Sequence, residues 1–250
     1  MGVAKGFVPH EFDAFHVDQA EVPARIAEGL EVCQKFWAGE PFSHAGKFFN
    51  FEKLEPWPPA VNGALPIWNA ASNSKESFIN AADQGFHLMM NHYPMSADAV
   101  TRKLGWYCER WESAGRKTSE RKSMIAFMTH IADTEEQAIE EAKAALQEHA
   151  GAFGKVMQGQ QWDRNYESDI SVLLHMSEND DWRDVFRRRT LICSPEQAAE
   201  RIQRYIDMGF TEISLNTRYA GLTNEQNMTT IRRISDEVLP MLGLAAKVVD

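Results

Sequence analysis

The sequence predicts an α/β fold of the (β/α)8 barrel type, and three observations carry that prediction. Apolar runs of strand length alternate with amphipathic helical patterns from residue 23 onward. The links between them are short, which places successive strands parallel in one sheet with helices outside it. Neither GxGxxG nor GxxxxGKS/T occurs, so dinucleotide-binding and P-loop sheets lack their signature. In the remaining barrel architecture, sites lie at the C-terminal ends of the strands.

The first helix starts near residue 23, where Ile26, Leu30, Cys33 and Trp37 recur at helical spacing until Gly39 stops the run. Residues 40–65 are rich in Gly, Pro and aromatics and read as a loop. A strand over 66–70 then leads into a helix over 74–84. Asn73 is placed to cap that helix and Glu76 to reach back, while Phe78, Ala81 and Ala82 face inward before Gly85. A turn of this kind leaves backbone N–H groups open to an anion such as phosphate.

Residues 86–90 form an apolar run that suits a strand buried on both faces. Ser96 caps a helix carrying Val100, Leu104, Tyr107, Cys108 and Trp111, closed by Ala114 and Gly115. Residues 122–131 read as a strand, and Thr134 with Gln137 as the capping box of a helix that turns Ala138, Ala142, Ala145 and Leu146 inward. Residues 153–190 break the rhythm, being polar and rich in Trp, Arg and Asp. They read as a helical insertion before the last unit of a single domain spanning 1–250. Ser194 and Pro195 open the next helix, with Ala198, Ile202, Tyr205 and Ile206 inward until Gly209. A strand over 211–215 and a helix from about 224 to 239 follow.

Of 250 residues, 44% are hydrophobic and 25% charged, the composition of a soluble globular protein. A net charge of -10, with Arg187-Arg188-Arg189 as the strongest basic cluster, excludes a nucleic-acid surface. No apolar run reaches the roughly 20 residues of a membrane helix, and the first residues lack a signal-peptide core, so the expected location is the cytoplasm. Cys33, Cys108 and Cys193 form no CxxC pair, which fits a reducing compartment. His87 and His92 lack i,i+4 spacing, and no metal centre is expected.

Three segments, in this order and spacing, resemble the luciferase-like monooxygenase family, flavin-dependent barrel enzymes related to the bacterial luciferase subunits. They are Gly2-Val3-Ala4-Lys5-Gly6-Phe7-Val8-Pro9 continuing to Arg25 and Glu28-Gly29-Leu30; Trp37-Ala38-Gly39-Glu40-Pro41-Phe42 continuing to Pro66-Ile67-Trp68-Asn69-Ala70-Ala71-Ser72; and Ser194-Pro195-Glu196-Gln197 continuing to Glu237-Val238-Leu239-Pro240. The match runs from the family's fourth strand to its C-terminus. It implies about the last five β/α units of an eight-unit barrel, without the three that carry much of the flavin-ring wall, a catalytic histidine and dimerisation helices.

The resemblance implies a flavin-dependent oxidoreductase using reduced FMN and oxygen on a small organic substrate, with a flavin reductase supplying the reduced cofactor. A deazaflavin in place of FMN is compatible with it. The phosphate contacts of relatives map onto Lys5, Gly6 and Arg25 and onto the small-residue turn Ala71, Ser72, Asn73 and Ser74. Some relatives carry a carboxylate where Ala71 stands, and Ala4 occupies the place of luciferase's reactive cysteine. Phe7, Trp68, His87, Asn91 and His92 fall near expected strand ends, where they line either a pocket or the core. No catalytic residue is assigned. The rival reading is a non-catalytic flavin- or phosphate-binding relative, or a half-barrel that needs another chain or copy to cover its open sheet edges.

Overall fold

The computed structural model describes residues 1–6, 8–72, 74–92, 95–156, 182–219 and 221–244. Phe7, Asn73 and most of the expected 153–190 insertion lie outside the described residues. The chain divides into two compact units, Met1–Asn69 and Ala70–Asp250.

In the first unit, β1 (Gly2–Val3) lies parallel to β4 (Trp68–Ala70), with Gly2 opposite Trp68 and Val3 opposite Asn69. Helices α1 (Pro9–Ala14) and α2 (Val22–Ala38) come between them, both opened by a proline that has no N–H to lose. α2 ends at Gly39, whose φ of 78° is left-handed and whose missing side chain leaves room for Pro59.

The expected loop over 40–65 is corrected by the structure, because it contains an antiparallel hairpin of β2 (Phe42–Ala45) and β3 (Asn50–Leu54). Its turn is organised from outside. The Glu28 carboxylate on α2 accepts the N–H groups of Lys47, Phe48 and Phe49 at 3.1, 3.1 and 2.7 Å. A hairpin held by a distant carboxylate leaves little trace in its own alternation.

In the second unit the central strand is β6 (Ser123–Ile131). β5 (His87–Asn91), β7 (Leu191–Cys193) and β8 (Glu212–Asn216) all pair with it in parallel. Met90 lies opposite Ile125, Ile125 opposite Ile213, and Ile131 opposite Cys193. Helices α3 (Lys75–Gln84), α4 (Ala97–Ser113), α5 (Glu135–Val156), α6 (Trp182–Arg189) and α7 (Pro195–Asp207) are interleaved with these strands. α8 (Asn224–Arg233) continues through one π turn to Met241.

The core forms where the period-2 face of the sheet meets the period-3.6 faces of the helices. Phe78, Leu88, Met90, Val100, Tyr107 and Ile125 are fully buried, each worth about 2 kcal/mol of burial. A second cluster packs Ala138, Ala142, Ala145 and Leu146 of α5 against Met128 and Ile192. β7 escapes sequence reading, since three residues show no period, yet Leu191, Ile192 and Cys193 are completely sealed.

Two caps differ from expectation. Ser74, not Asn73, caps α3, its hydroxyl accepting from the Ser77 N–H at 3.4 Å, so Glu76 has no box to complete. Thr134 caps Gln137 at 3.2 Å, but the Gln137 carboxamide turns to Glu141 at 2.7 Å instead of reaching back.

Candidate functional site

The loop between β4 and α3 is the only expected site segment lying in the second unit, and its fixing can be followed bond by bond. The Ala71 N–H donates to the Met89 carbonyl of β5 at 3.0 Å, tying the loop to the sheet. Ser74 then caps α3 and also exchanges a hydroxyl hydrogen bond of 2.8 Å with Ser77. Between these anchors, the Ser72 carbonyl accepts from Lys103 Nζ at 2.6 Å. The first turn of α3 therefore presents its orphan N–H groups beside a loop pinned on both sides.

The contact of Lys103 with this loop was not legible in the sequence. The residue sits on α4 within a helical face that reads as core, and only 2% of it is exposed. Burial, and secondarily the charge of Arg102, pushes its pKa below the ordinary lysine value. Beyond Ser72, its ammonium meets the Met95 thioether at 3.7 Å. Two further cations gather at this corner: Lys75, at the first position of α3, and Arg102 lie 5.7 and 5.9 Å from the Trp106 ring centre. Glu76 in the first turn of α3 is the opposing charge on that helix.

The remaining expected phosphate contacts belong to the first unit. Lys5 is exposed, and Gly6 takes a φ of 73° that brings the Phe12 ring against its backbone. Arg25 lies half-buried in the first turns of α2, 3.3 Å from Glu21 and 4.4 Å above the Phe48 ring. The seven expected residues are thus divided between the two units, with Asn73 outside the described residues.

His92 belongs to the core. It is fully buried, stacks on Phe127 with centroids 4.9 Å apart, and hydrogen-bonds the Arg189 carbonyl through Nδ1 at 2.8 Å. That bond places the proton on Nδ1, so Nε2 accepts from the Tyr205 hydroxyl. Burial pushes the His92 pKa down to about 4 and that of Tyr205 up to about 12. Cys193 is likewise sealed, with its thiol pushed up to about 12 by burial, which removes it as a nucleophile.

A second buried chain has the composition of a nucleophile–base–carboxylate triad. The Ile131 N–H donates to Thr230 Oγ1 at 3.2 Å, Thr230 lies 3.2 Å from His130 Nδ1, and His130 Nε2 lies 2.7 Å from Glu141. Thr230 is completely buried, however, so no substrate reaches its hydroxyl. The chain pins α8 and α5 to the end of β6.

A cleft of about 650 Å³ is lined in part by Arg187, Arg201, Arg204, Glu135 and Tyr205. Several of its charges pair with one another: Glu135 binds Arg187 at 3.1 Å and also binds Arg201, and Glu200 binds Arg204. The loop at the head of α3 is backed instead by the Lys103 ammonium, with Glu76 in the first turn of the helix. No helix among the described residues is long and apolar enough to cross a membrane.

Solved structures share this fold. The monooxygenase RslO1 of Streptomyces bottropensis superposes with a TM-score of 0.73 at 21% identity, over 96% of this chain and 68% of that one. The oxygenating constituent of 3,6-diketocamphane monooxygenase from Pseudomonas putida, determined with FMN, gives 0.73 at 19% identity over 99% and 72%. The coenzyme F420-dependent tetrahydromethanopterin reductase of Methanopyrus kandleri gives 0.67 at 14% over 96% and 73%. At these identities the likeness is one of fold. No curated protein matches the sequence. The family model described as luciferase-like monooxygenase matches residues 1–212, and the chain accordingly belongs to the luciferase-like monooxygenase family.

Proposed function

We propose that this chain is a flavin-dependent oxidoreductase that takes reduced FMN, delivered by a separate flavin reductase, and uses oxygen on a small organic substrate. The observation that carries the reading is the pinned, electropositive loop at the head of α3. A buried ammonium, a helix N-terminus and two hydroxyls there suit a phosphate monoester. Family membership makes the flavin phosphate its natural occupant, and the FMN-bound neighbour supports that choice.

When bound, the reduced flavin supplies the reaction with oxygen. The protein's share is to hold and orient it. Ser72 and Ser74 lie on the loop that receives the phosphate, and the packing of α3 against α4 through Phe78 and Trp106, 5.9 Å between centroids, keeps that loop in place.

Anaerobic calorimetric titration with oxidised FMN, reduced FMN and riboflavin tests the reading. Saturable binding that favours reduced FMN and weakens without the phosphate is expected; a folded protein that binds neither form of FMN refutes it. Titration with F420 alongside decides between flavin and deazaflavin, since neighbours of this fold use each. The contribution of the first unit is tested separately by replacing Lys5 and Arg25 together with Ala, which is expected to weaken FMN binding about tenfold or more.

One feature favours a second reading of the assembly. Among the described residues β8 pairs only with β6, so its other edge is open to a further strand from another copy or chain. That reading expects an oligomer by light scattering, and a clean monomer counts against it.

A further inference from the structure

His44 of β2 is buried at the seam between the hairpin and α2, and both of its ring nitrogens face charged groups of that helix. Nδ1 lies 3.3 Å from Lys35 Nζ and 3.9 Å from Glu31 Oε1, while Nε2 lies 3.3 Å from Glu28 Oε1. Lys35 in turn binds Glu31 at 2.7 Å. From the hairpin turn, Lys47 gives Glu28 its backbone N–H, whereas its ammonium goes to Glu21 at 2.7 Å. Across the hairpin, the residue opposite His44 is the uncharged Phe51 of β3.

The chemistry of these partners decides where the ring carries its proton. An ammonium donates and cannot accept, so the nitrogen facing Lys35 presents a lone pair. The ring is therefore neutral, with its proton on Nε2 donated to Glu28. That side is closed, because a Cβ at Gly46 would fall 2.6 Å from Nε2 and 2.0 Å from Glu28 Oε1. The other side has room to rearrange, since the Lys35 and Glu31 side chains are 39% and 56% exposed.

A proton arriving on Nδ1 turns this acceptor into a donor aimed at an ammonium, and Lys35 has to leave. Glu31 is the acceptor within reach. Two carboxylates and one ammonium surround the ring, so the added charge neutralises the seam instead of overloading it. Histidine is also the side chain whose ordinary titration falls between about pH 5 and 8.

We propose that His44 is a proton-operated exchange between α2 and the hairpin. Neutral, it is held by Lys35 and Glu28; protonated, it drops Lys35 and takes Glu31, with Glu28 in place throughout. Lys35, in the last turn of α2, is then released to solvent, while the hairpin turn keeps its N–H bonds to Glu28. The exchange lies within the first unit and does not depend on the flavin reading.

The test is a pH titration of the full chain by nuclear magnetic resonance, reading the ring nitrogens of His44 and the carboxyl carbon of Glu31. His44→Gln identifies the ring signals. At the alkaline end Nε2 should be protonated and Nδ1 bare. On acidification Nδ1 should gain its proton, the Glu31 signal should step at the same midpoint, and that step should vanish in His44→Gln. Lys35→Met removes the donor to the neutral ring and is expected to move the midpoint to higher pH. Glu31→Gln removes the acceptor of the protonated ring and is expected to move it lower. Amide signals of residues 47–49 should stay in place through the transition.

A histidine with a merely structural role stays neutral until the protein unfolds and moves neither signal, which overturns the proposal. So does a proton on Nδ1 at the alkaline end, a midpoint unchanged in Lys35→Met, or a Glu31 step that persists in His44→Gln. Loss of the 47–49 signals at the midpoint would mean that Glu28 is surrendered as well, and the exchange as stated would fall.

Discussion

Glu28 and Lys103 are both charged side chains drawn into packed regions, one in each unit, and they are satisfied to opposite degrees. Glu28 accepts three backbone N–H groups and approaches His44 Nε2 at 3.3 Å. Burial works against its charge, but the bonds from Phe49, Phe48 and His44 outweigh it and hold the carboxyl below its ordinary pKa. Lys103 has one oxygen for three donors, and nothing offsets its burial. The contrast separates two uses of a buried polar group. A saturated one specifies structure, whereas a sparsely bonded one carries a burial cost that its own contacts do not fully offset.

This comparison can be broken by variants of the saturated networks. Each should lower stability and leave the FMN-to-riboflavin affinity ratio unchanged. The largest effect is expected from acid. His92 is neutral in the folded protein down to about pH 4, whereas the unfolded chain takes up its proton near 6.5. The folded pKa is depressed, so the unfolded state binds more protons as pH falls. Stability present above pH 6.5 is therefore lost on the way to pH 4, by up to about 3 kcal/mol. Urea unfolding at stepped pH measures the slope, and His92→Gln should flatten it relative to wild type; equal slopes would show that His92 does not report in this window.

The next effect belongs to the relay that ends β6. Thr230→Val removes both the acceptor of the Ile131 N–H and the donor to His130, and is expected to cost about 2 to 3 kcal/mol. Tyr205→Phe strips only the hydroxyl that donates to His92 Nε2, for a loss of about 1 to 2 kcal/mol. If either variant instead changes FMN affinity while riboflavin is unaffected, the division between saturated and unsaturated groups fails.

What was legible in the sequence follows the same division. The alternation of strands and helices, the inward faces of α4 and α5, that of α7 except for Ile206, which is exposed, and the Ser96 and Ser194 caps were readable, because periodicity and capping are local. The hairpin over β2 and β3 was not, because Glu28, some twenty residues away, organises its turn. β7 was too short to show a period. At the candidate site, the strand-to-helix setting of the small-residue turn at Ala71, Ser72 and Ser74 was readable. The place of Lys103 beside it was not, since its distance in sequence from Ser72 is 31 residues and its face of α4 carries core residues on either side. A lysine within an otherwise apolar helical stripe was the one available signal.

The most local consequence is also the sharpest test of saturation. Glu28→Gln keeps the shape of the side chain but loses the charge, and one of its two terminal atoms becomes a donor facing the turn of the hairpin. Three N–H groups, from Lys47, Phe48 and Phe49, then compete for a single neutral oxygen. Gly46 makes compensation difficult, because even a Cβ there would fall 2.0 Å from Glu28 Oε1, so the turn is already closed onto the carboxylate. Amide exchange at residues 47–49 should accelerate in the variant, while exchange in β6 stays at the wild-type rate. Uniform acceleration across both units would mean that Glu28 supports the whole molecule instead of one turn. No acceleration at all would mean that the three N–H groups find other acceptors, and that counting satisfied donors does not distinguish Glu28 from Lys103.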